Sequence, residues 1–396
     1  MHTPTTSPPV GSIRCVGGAP RAPGAREPRG GPPPPAPPPP PPTPLAALRA
    51  FRPDVVHVHN LFPNFTRHWV RDWTGPLVAT LHNFRPLCAG ANLYRSGATC
   101  TACPDGDRWA GLRNGCYRGS RAATAPLAWA NRRGAAADPL LGRADRLVTI
   151  AELSRRMYTR VGVAAERTVL IPNFVDEAGP DPARPTGRPG EPGGLEPVPT
   201  ADRRTAAEPP SAPRDRWLFA GRLSAEKGVV ELLRVWPHDQ GLDVVGDGEL
   251  ADAARAVAPS SVRFLGPLPR AELRGILPAY RGLVFPSRCF EGAPLIEVEA
   301  YAAGLPVLAF DGSSVAETVR ALGTGRVVTW EEPLGAALRA AAAAFPDLRG
   351  HCRAVFAEHF TPRAWLARTE KVYADVVGGC RGGAPPAGGG VRGPPG

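Results

Sequence analysis

Lysine is nearly missing from this 396-residue chain: Lys227 and Lys371 are the only two, although Lys and Arg together number 47 against 36 Asp and Glu. The formal net charge of +11 is therefore carried by arginine. A balance of that size usually directs attention to polyanions. Here the chain is also swollen with Ala, Gly and Pro, whose codons are GC-rich, so the basicity reads as mutational bias and the arginines as a solvated surface. Helix-turn-helix, finger and aromatic-interleaved basic patterns are missing too, so no nucleic-acid partner is expected. No run of about 18 apolar residues occurs, so no membrane-spanning helix is expected. An apolar stretch of signal-peptide kind is also missing from the start of the chain. The chain thus reads as cytoplasmic, where its 8 cysteines are expected to be thiols or metal ligands and not disulfides.

Proline is plentiful but uneven. Seventeen of the 50 lie in residues 1–44, where the run Gly31–Pro44 cannot assemble an apolar core. We read 1–44 as a disordered tail, 177–214 as a disordered linker rich in Pro, Gly, Glu and Arg, and 378–396 as a second tail. Two blocks of ordinary domain size remain, 45–176 and 215–377.

The first block alternates a short helix at Leu45–Arg52 with strand-like runs at Asp54–His59, Leu77–Leu81, Asp145–Ile150 and Arg167–Ile171. Helical stretches fall near Ala122–Arg132 and from Glu152. The second block repeats that rhythm with strands at Trp217–Gly221, Leu242–Gly246, Val262–Leu265, Gly282–Phe285 and Pro306–Phe310. Its helices are expected at Ala225–Val235, Glu249–Ala256, Arg270–Leu277, Pro294–Ala303 and Val315–Leu322. Strands alternating with helices imply parallel sheets covered on both faces. A last helix opens with Thr361 as N-cap and Pro362 in its first turn. Its stripe of Trp365, Leu366, Thr369, Val372 and Tyr373 needs a packed partner, expected across both domains.

Two segments carry the chemistry. Between Phe285 and Phe310 a strand ends at Pro286-Ser287, a loop carries Glu291, and Pro294 starts a helix whose amides at Leu295 and Ile296 have no intrahelical partner. Such a helix start attracts an anion. Glu291 and Glu299 flank it eight apart, suited to hydroxyl-rich groups on either side of a diphosphate, whereas Glu297 reads as a solvated surface residue. The second segment is Gly221-Arg222-Leu223-Ser224-Ala225-Glu226-Lys227-Gly228. Arg222 ends the first strand of its block and Lys227 opens the next helix, a cation pair placed to stabilise a leaving pyrophosphate. Val245-Gly246-Asp247-Gly248 ends the second strand with glycines that permit close backbone approach. His57 and His59, two apart on a strand, share a face. With no third ligand near them in sequence, they read as structural.

These residues resemble the retaining glycosyltransferases of family 4. The resemblance spans about Pro53 to Val377 and implies the GT-B fold: α/β, two Rossmann-like, doubly wound domains facing a cleft. Its most specific parts are Glu291-x7-Glu299 followed by Gly304-Leu305-Pro306-Val307, and Gly-Arg-Leu-x-x-x-Lys-Gly at Gly221–Gly228. By resemblance, Arg222 and Lys227 grip the diphosphate of a nucleotide sugar, helped by Gly246 and the amides at Leu295 and Ile296. Glu291 meets hydroxyls of the donor sugar and Glu299 the ribose. His82, in Thr80-Leu81-His82, lies by the reacting sugar from the other domain. Ile171-Pro172-Asn173-Phe174-Val175-Asp176 is similar to the family's close of the first domain, with Phe174 where glycine is usual. The implied reaction moves a hexosyl group from a nucleoside diphosphate sugar to an acceptor hydroxyl with retention. It needs no catalytic cofactor, since Arg and Lys supply the positive charge. The acceptor would be an unidentified glycan or lipid-linked molecule of polysaccharide or glycolipid synthesis, met in the cytoplasm or peripherally at the inner membrane face.

Cys88, Cys100, Cys103 and Cys116 form a C-x11-C-x2-C-x12-C series in an insertion over 85–120, a spacing that suggests a structural zinc site. Free thiols or two disulfides are the other readings. Cys15, Cys289, Cys352 and Cys380 are scattered and receive no role. The first domain departs from the family: a complete one opens with a strand and a Gly-rich turn, and residues 1–44 contain neither. We therefore expect an incomplete first domain, its missing units encoded upstream of Met1, or else a degenerate copy of such an enzyme. The competing functions are an inactive nucleotide-sugar-binding remnant and another enzyme of the same fold, such as a nucleotide-sugar epimerase.

Overall fold

The computed structural model describes residues 43–62, 64–176 and 215–382, and side chains as far as Gly379. The expected tail over 1–42, the linker over 177–214 and the far end of the second tail lie outside the described residues. The first half runs α1 (Leu45–Phe51), β1 (Val56–His59), β2 (Leu77–Leu81), β3 (Tyr94–Arg95), β4 (Ala98–Thr99), α2 (Ala110–Arg113), α3 (Arg121–Asn131), α4 (Pro139–Arg143), β5 (Arg146–Thr149), α5 (Glu152–Arg160) and β6 (Thr168–Leu170). The second half runs β7 (Arg216–Ala220), α6 (Val229–Arg234), β8 (Gly241–Val245), α7 (Ala251–Val257), β9 (Val262–Gly266), α8 (Arg270–Ile276), β10 (Leu283–Phe285), α9 (Leu295–Ala302), β11 (Val307–Phe310), α10 (Ser314–Leu322), β12 (Gly325–Val328), α11 (Leu334–His359) and α12 (Pro362–Gly382).

Each half builds a parallel sheet. The first has the order β1-β2-β5-β6, with His59 beside Thr80 and Leu81 beside Thr149. Among the described strands this order runs one way with no reversal. The second sheet has the order β12-β11-β10-β7-β8-β9, which reverses between β10 and β7. Its central strands are apolar along their whole length because both faces are covered: every residue of Leu283–Phe285 and Val307–Phe310 is buried.

Three features depart from expectation. The helix expected over Ala225–Val235 is broken, because Gly228 adopts φ 68 and ends a short 3-10 turn, Ala225–Lys227, before α6 begins. Residues 323–360, to which the sequence reading assigned no element, hold β12 and α11, a 26-residue helix with Pro346 inside it. Its buried Leu334, Ala337, Leu338, Ala341, Phe345, Cys352, Val355 and Phe356 recur at helical spacing, a signal that was there to be read. The last helix continues to Gly382, past the expected boundary at Val377.

That last helix does reach back to the first half. Thr361 caps it, its Oγ1 accepting from the Ala364 amide at 3.2 Å. Val372 and Val376 are buried with Val78, Val148 and Ile171 of the first sheet, and Tyr373 hydrogen-bonds with His57 at 2.7 Å. Leu366 is the exception in the expected stripe: it is half exposed, a 100° step round the helix from Trp365.

Candidate functional site

Two loops flank the reversal in the second sheet, Gly221–Gly228 after β7 and Pro286–Pro294 after β10. Open α/β sheets bind ligands in the crevice that such a reversal opens. Glycines bring the loops together. A Cβ on Gly228 would stand 2.3 Å from the Pro286 carbonyl oxygen, and the Arg288 amide donates to the Glu226 carbonyl at 2.8 Å. Lys227 is thereby aimed across the crevice, its Nζ 2.7 Å from Glu291 Oε2, while Ser287 Oγ donates to the other carboxylate oxygen. Arg222 stands two residues past the end of β7 and is exposed, its side chain without a hydrogen-bond or ion-pair partner among the described residues.

Gly246 has φ 133, and a Cβ there would lie 1.9 Å from the Gly221 carbonyl oxygen. The close approach that its missing side chain allows is to the neighbouring loop. A Gly246→Ala variant therefore combines a left-handed backbone with a backbone clash and should lose about 3 kcal/mol or more of stability. Urea unfolding would read this as a lowered midpoint, and an unchanged midpoint would mean that the two loops can separate.

From the first sheet, His82 follows the end of β2 and faces the same crevice. A cavity of about 220 Å³ is lined by His82, Asn83, Lys227, Cys289, Glu291 and Gly292 among others. A Cβ on Gly292 would meet the His82 carbonyl oxygen at 3.0 Å, and Asn173 donates to the Ala293 carbonyl at 2.8 Å. Phe84 and Phe290 add an edge-to-face ring contact, centroids 6.5 Å apart. His82 Nε2 hydrogen-bonds with His59 Nδ1 at 2.9 Å. His57 and His59 do share a face, their ring centroids 4.2 Å apart, and His57 hydrogen-bonds with Thr80 as well as Tyr373. Burial lowers the pKa of all three imidazoles, and their mutual repulsion when charged adds to this at His57, lowered to about 4, and at His82. Neutral rings can therefore pack this closely at pH 7.

The remaining carboxylates are arranged differently from expectation. Glu299 is buried and ion-paired with Arg270 and, at 3.3 Å, with Arg274 of α8, so a ribose contact would share it with two guanidinium groups. Glu297, expected on the surface, is 4% exposed. Tyr301 donates to it at 2.9 Å and accepts from Thr324 at 2.8 Å. Burial pushes its carboxyl up to about 8, with the Glu291 charge adding to the rise. It faces inward because α9 is wedged between its sheet and α11, leaving that helix little surface to expose. The amides of Leu295 and Ile296 have no hydrogen-bond partner among the described residues. Leu295 also lines a second cavity of about 260 Å³ with His57, His59 and His82.

Cys88, Cys100, Cys103 and Cys116 converge on one small cavity and none is in a disulfide. Burial and the neighbouring thiols raise the pKa of Cys103 and Cys116, although a backbone hydrogen bond opposes the rise at Cys103 and the Arg95 charge opposes it at Cys116. Among the described residues no three His, Cys, Asp or Glu side chains stand at the spacing needed to hold an ion. The four cysteines that the spacing singled out nonetheless line one pocket together.

Comparison with known proteins follows the two halves. The family described as Glycosyltransferase Family 4 matches residues 3–178, and that described as Glycosyl transferases group 1 matches residues 214–344. No curated protein matches the chain by sequence. Sucrose-phosphate synthase from Thermosynechococcus elongatus is 18% identical over 85% of this chain and 76% of that one, with a TM-score of 0.56. A glycosyltransferase from Rickettsia africae is 13% identical over 84% of this chain and 79% of that one, TM-score 0.53. Alr3699/HepE from Anabaena, solved in complex with UDP, is 18% identical over 84% of this chain and 81% of that one, TM-score 0.51. At these identities the likeness is one of fold.

Proposed function

Because the chain belongs to the family-4 glycosyltransferases of GT-B fold, which transfer sugar from a nucleotide sugar, we propose that it moves a hexosyl group from a nucleoside diphosphate sugar to an acceptor hydroxyl with retention at the anomeric carbon. The observation that carries this reading is the single cavity lined by His82 from the first sheet and by Lys227 and Glu291 from the second, beside the reversal in strand order. In this reading the diphosphate meets Lys227 in that cavity, with Arg222 and the free amides at the start of α9, which stand outside its lining, as further contacts. Glu291, held by Lys227 and Ser287, presents a carboxylate to the hydroxyls of the sugar.

The bond from the anomeric carbon to the diphosphate breaks as the acceptor oxygen bonds to the same carbon from the same face, and the acceptor proton passes to the departing phosphate oxygen. Positive charge on the leaving group is the main requirement, and a strong protein base is not one. His82, neutral at pH 7, is suited to accept a hydrogen bond from a sugar or acceptor hydroxyl without adding charge. Synthesis of a polysaccharide or glycolipid near the inner membrane face is the setting that goes with this proposal. Among the described residues no helix is long and apolar enough to cross a membrane.

Calorimetry with UDP, followed by release of UDP from UDP-sugars in the presence of glycan acceptors, tests the reading. Binding with turnover and an unchanged anomeric configuration in the product supports it. Binding without turnover supports the inactive remnant, and no binding rejects both.

A further inference from the structure

A cleft of about 830 Å³ lies wholly in the first half and includes His82 in its lining. Its floor is the end of β2, Thr80 to Asn83, one wall is the loop after β1, and the other is α3. His82 also lines the cavity that holds Lys227 and Glu291, so the cleft opens beside the reacting centre.

Its lining is one-sided in charge. Arg67, Arg85 and Arg132 contribute to it, and none of its lining residues is a carboxylate. Arg67 is already neutralised by an ion pair with the buried Asp138. The other two have no carboxylate partner among the described residues. Arg85 is half-buried with its guanidinium carbon 4.8 Å from the Phe62 ring centroid and 5.2 Å from that of Tyr117, and it donates to the Ala89 carbonyl. Arg132 lies 4.0 Å over the Trp129 ring and donates to the Trp129 carbonyl at 2.7 Å. Aromatic faces and carbonyls compensate a cation only in part. Burial accordingly lowers the Arg85 pKa. A partly dried guanidinium with no carboxylate partner is a site awaiting an anion.

The same cleft exposes aromatic surface, with Trp129 59% and Phe62 41% accessible. Beside these faces stand Asn60, Asn64 and Thr66, side chains that pair with hydroxyl groups. Flat apolar plates interleaved with amides and hydroxyls match a sugar ring, which has an apolar face and a polar rim. An alkyl chain would leave the amides unpaired. Resting on the transferase reading above, we propose that this cleft binds the acceptor and selects an acidic saccharide, its carboxylate on Arg85 and Arg132 and its rings on Phe62 and Trp129.

The test uses the full chain and two probes that differ by one carboxylate, p-nitrophenyl β-D-glucuronide and p-nitrophenyl β-D-glucoside, titrated by saturation-transfer NMR at low salt. The glucuronide is expected to bind about ten-fold more tightly, the worth of one charge-assisted hydrogen bond, with the gap closing as salt rises. Arg85→Gln and Arg132→Gln should each remove most of that gap while the glucoside affinity moves little. Equal binding of the two glycosides, no binding of either, or a gap that survives both substitutions would overturn the proposal. Tighter binding of decyl phosphate than of the glucuronide would also overturn it, in favour of a lipid phosphate. UDP titrated into the same sample reports on the donor half alone, so its binding separates failure of this inference from failure of the transferase reading.

Discussion

Replacing Lys227 with Met is expected to lower sugar transfer about 100- to 1,000-fold, the usual effect of removing one preorganised group from a developing anion. The same change should also lower stability by roughly 2–3 kcal/mol, because it strands the Glu291 carboxylate, whose side chain is only 9% exposed, with Ser287 as its remaining partner. Two causes for one loss of activity can be separated. In a Lys227→Met, Glu291→Gln double variant the stranded charge is gone, so the melting temperature should return towards that of the parent. Transfer should stay low, since the cation beside the diphosphate and the carboxylate on the sugar hydroxyls are both gone. If transfer recovers together with stability, Lys227 serves to hold Glu291 and does not act on the leaving group.

The second large effect concerns stability and pH. Glu297 has a carboxyl pushed up to about 8, against 4.5 in water, because ionising it would bury a charge between α9 and its neighbours. A raised carboxyl favours the folded state fully at pH values below its unfolded pKa. Above that, the unfolded chain ionises and the folded chain does not, so stability falls between about pH 4.5 and pH 8. Glu297→Gln keeps an oxygen to accept from Tyr301 and removes the ionisation. It should match the parent near pH 4.5 and exceed it by roughly 3–5 kcal/mol at pH 8, the linkage energy of a shift of this size. Denaturant unfolding at pH 4.5, 6 and 8 would show the gap widening, and parallel curves at all three would mean that Glu297 is ionised in the folded protein. Nearby Glu291 sharpens the outcome: in a chain that also carries Glu291→Gln the widening should be smaller, since part of the repulsion is gone.

The sequence by itself determined where most strands and helices fall, β12, α11 and the break at Gly228 excepted. Runs such as Leu77–Leu81 and Val307–Phe310 are buried on both faces, and that demand is visible in a few consecutive residues. The placing of Lys227 and Glu291 at the carboxyl edge followed likewise, since parallel strands of one sheet present their following loops together. The tertiary structure alone decided the ionisation and pairing of those groups. Lys227 meets Glu291 across 64 positions, Glu299 meets Arg270 across 29, and Glu297 is buried by helices and strands distant from it in the chain. Nor could spacing alone show that Cys88, Cys100, Cys103 and Cys116 would line one pocket. Local pattern depends on neighbours along the chain, whereas charge state and burial depend on neighbours in space, and these exist only once the sheets are packed.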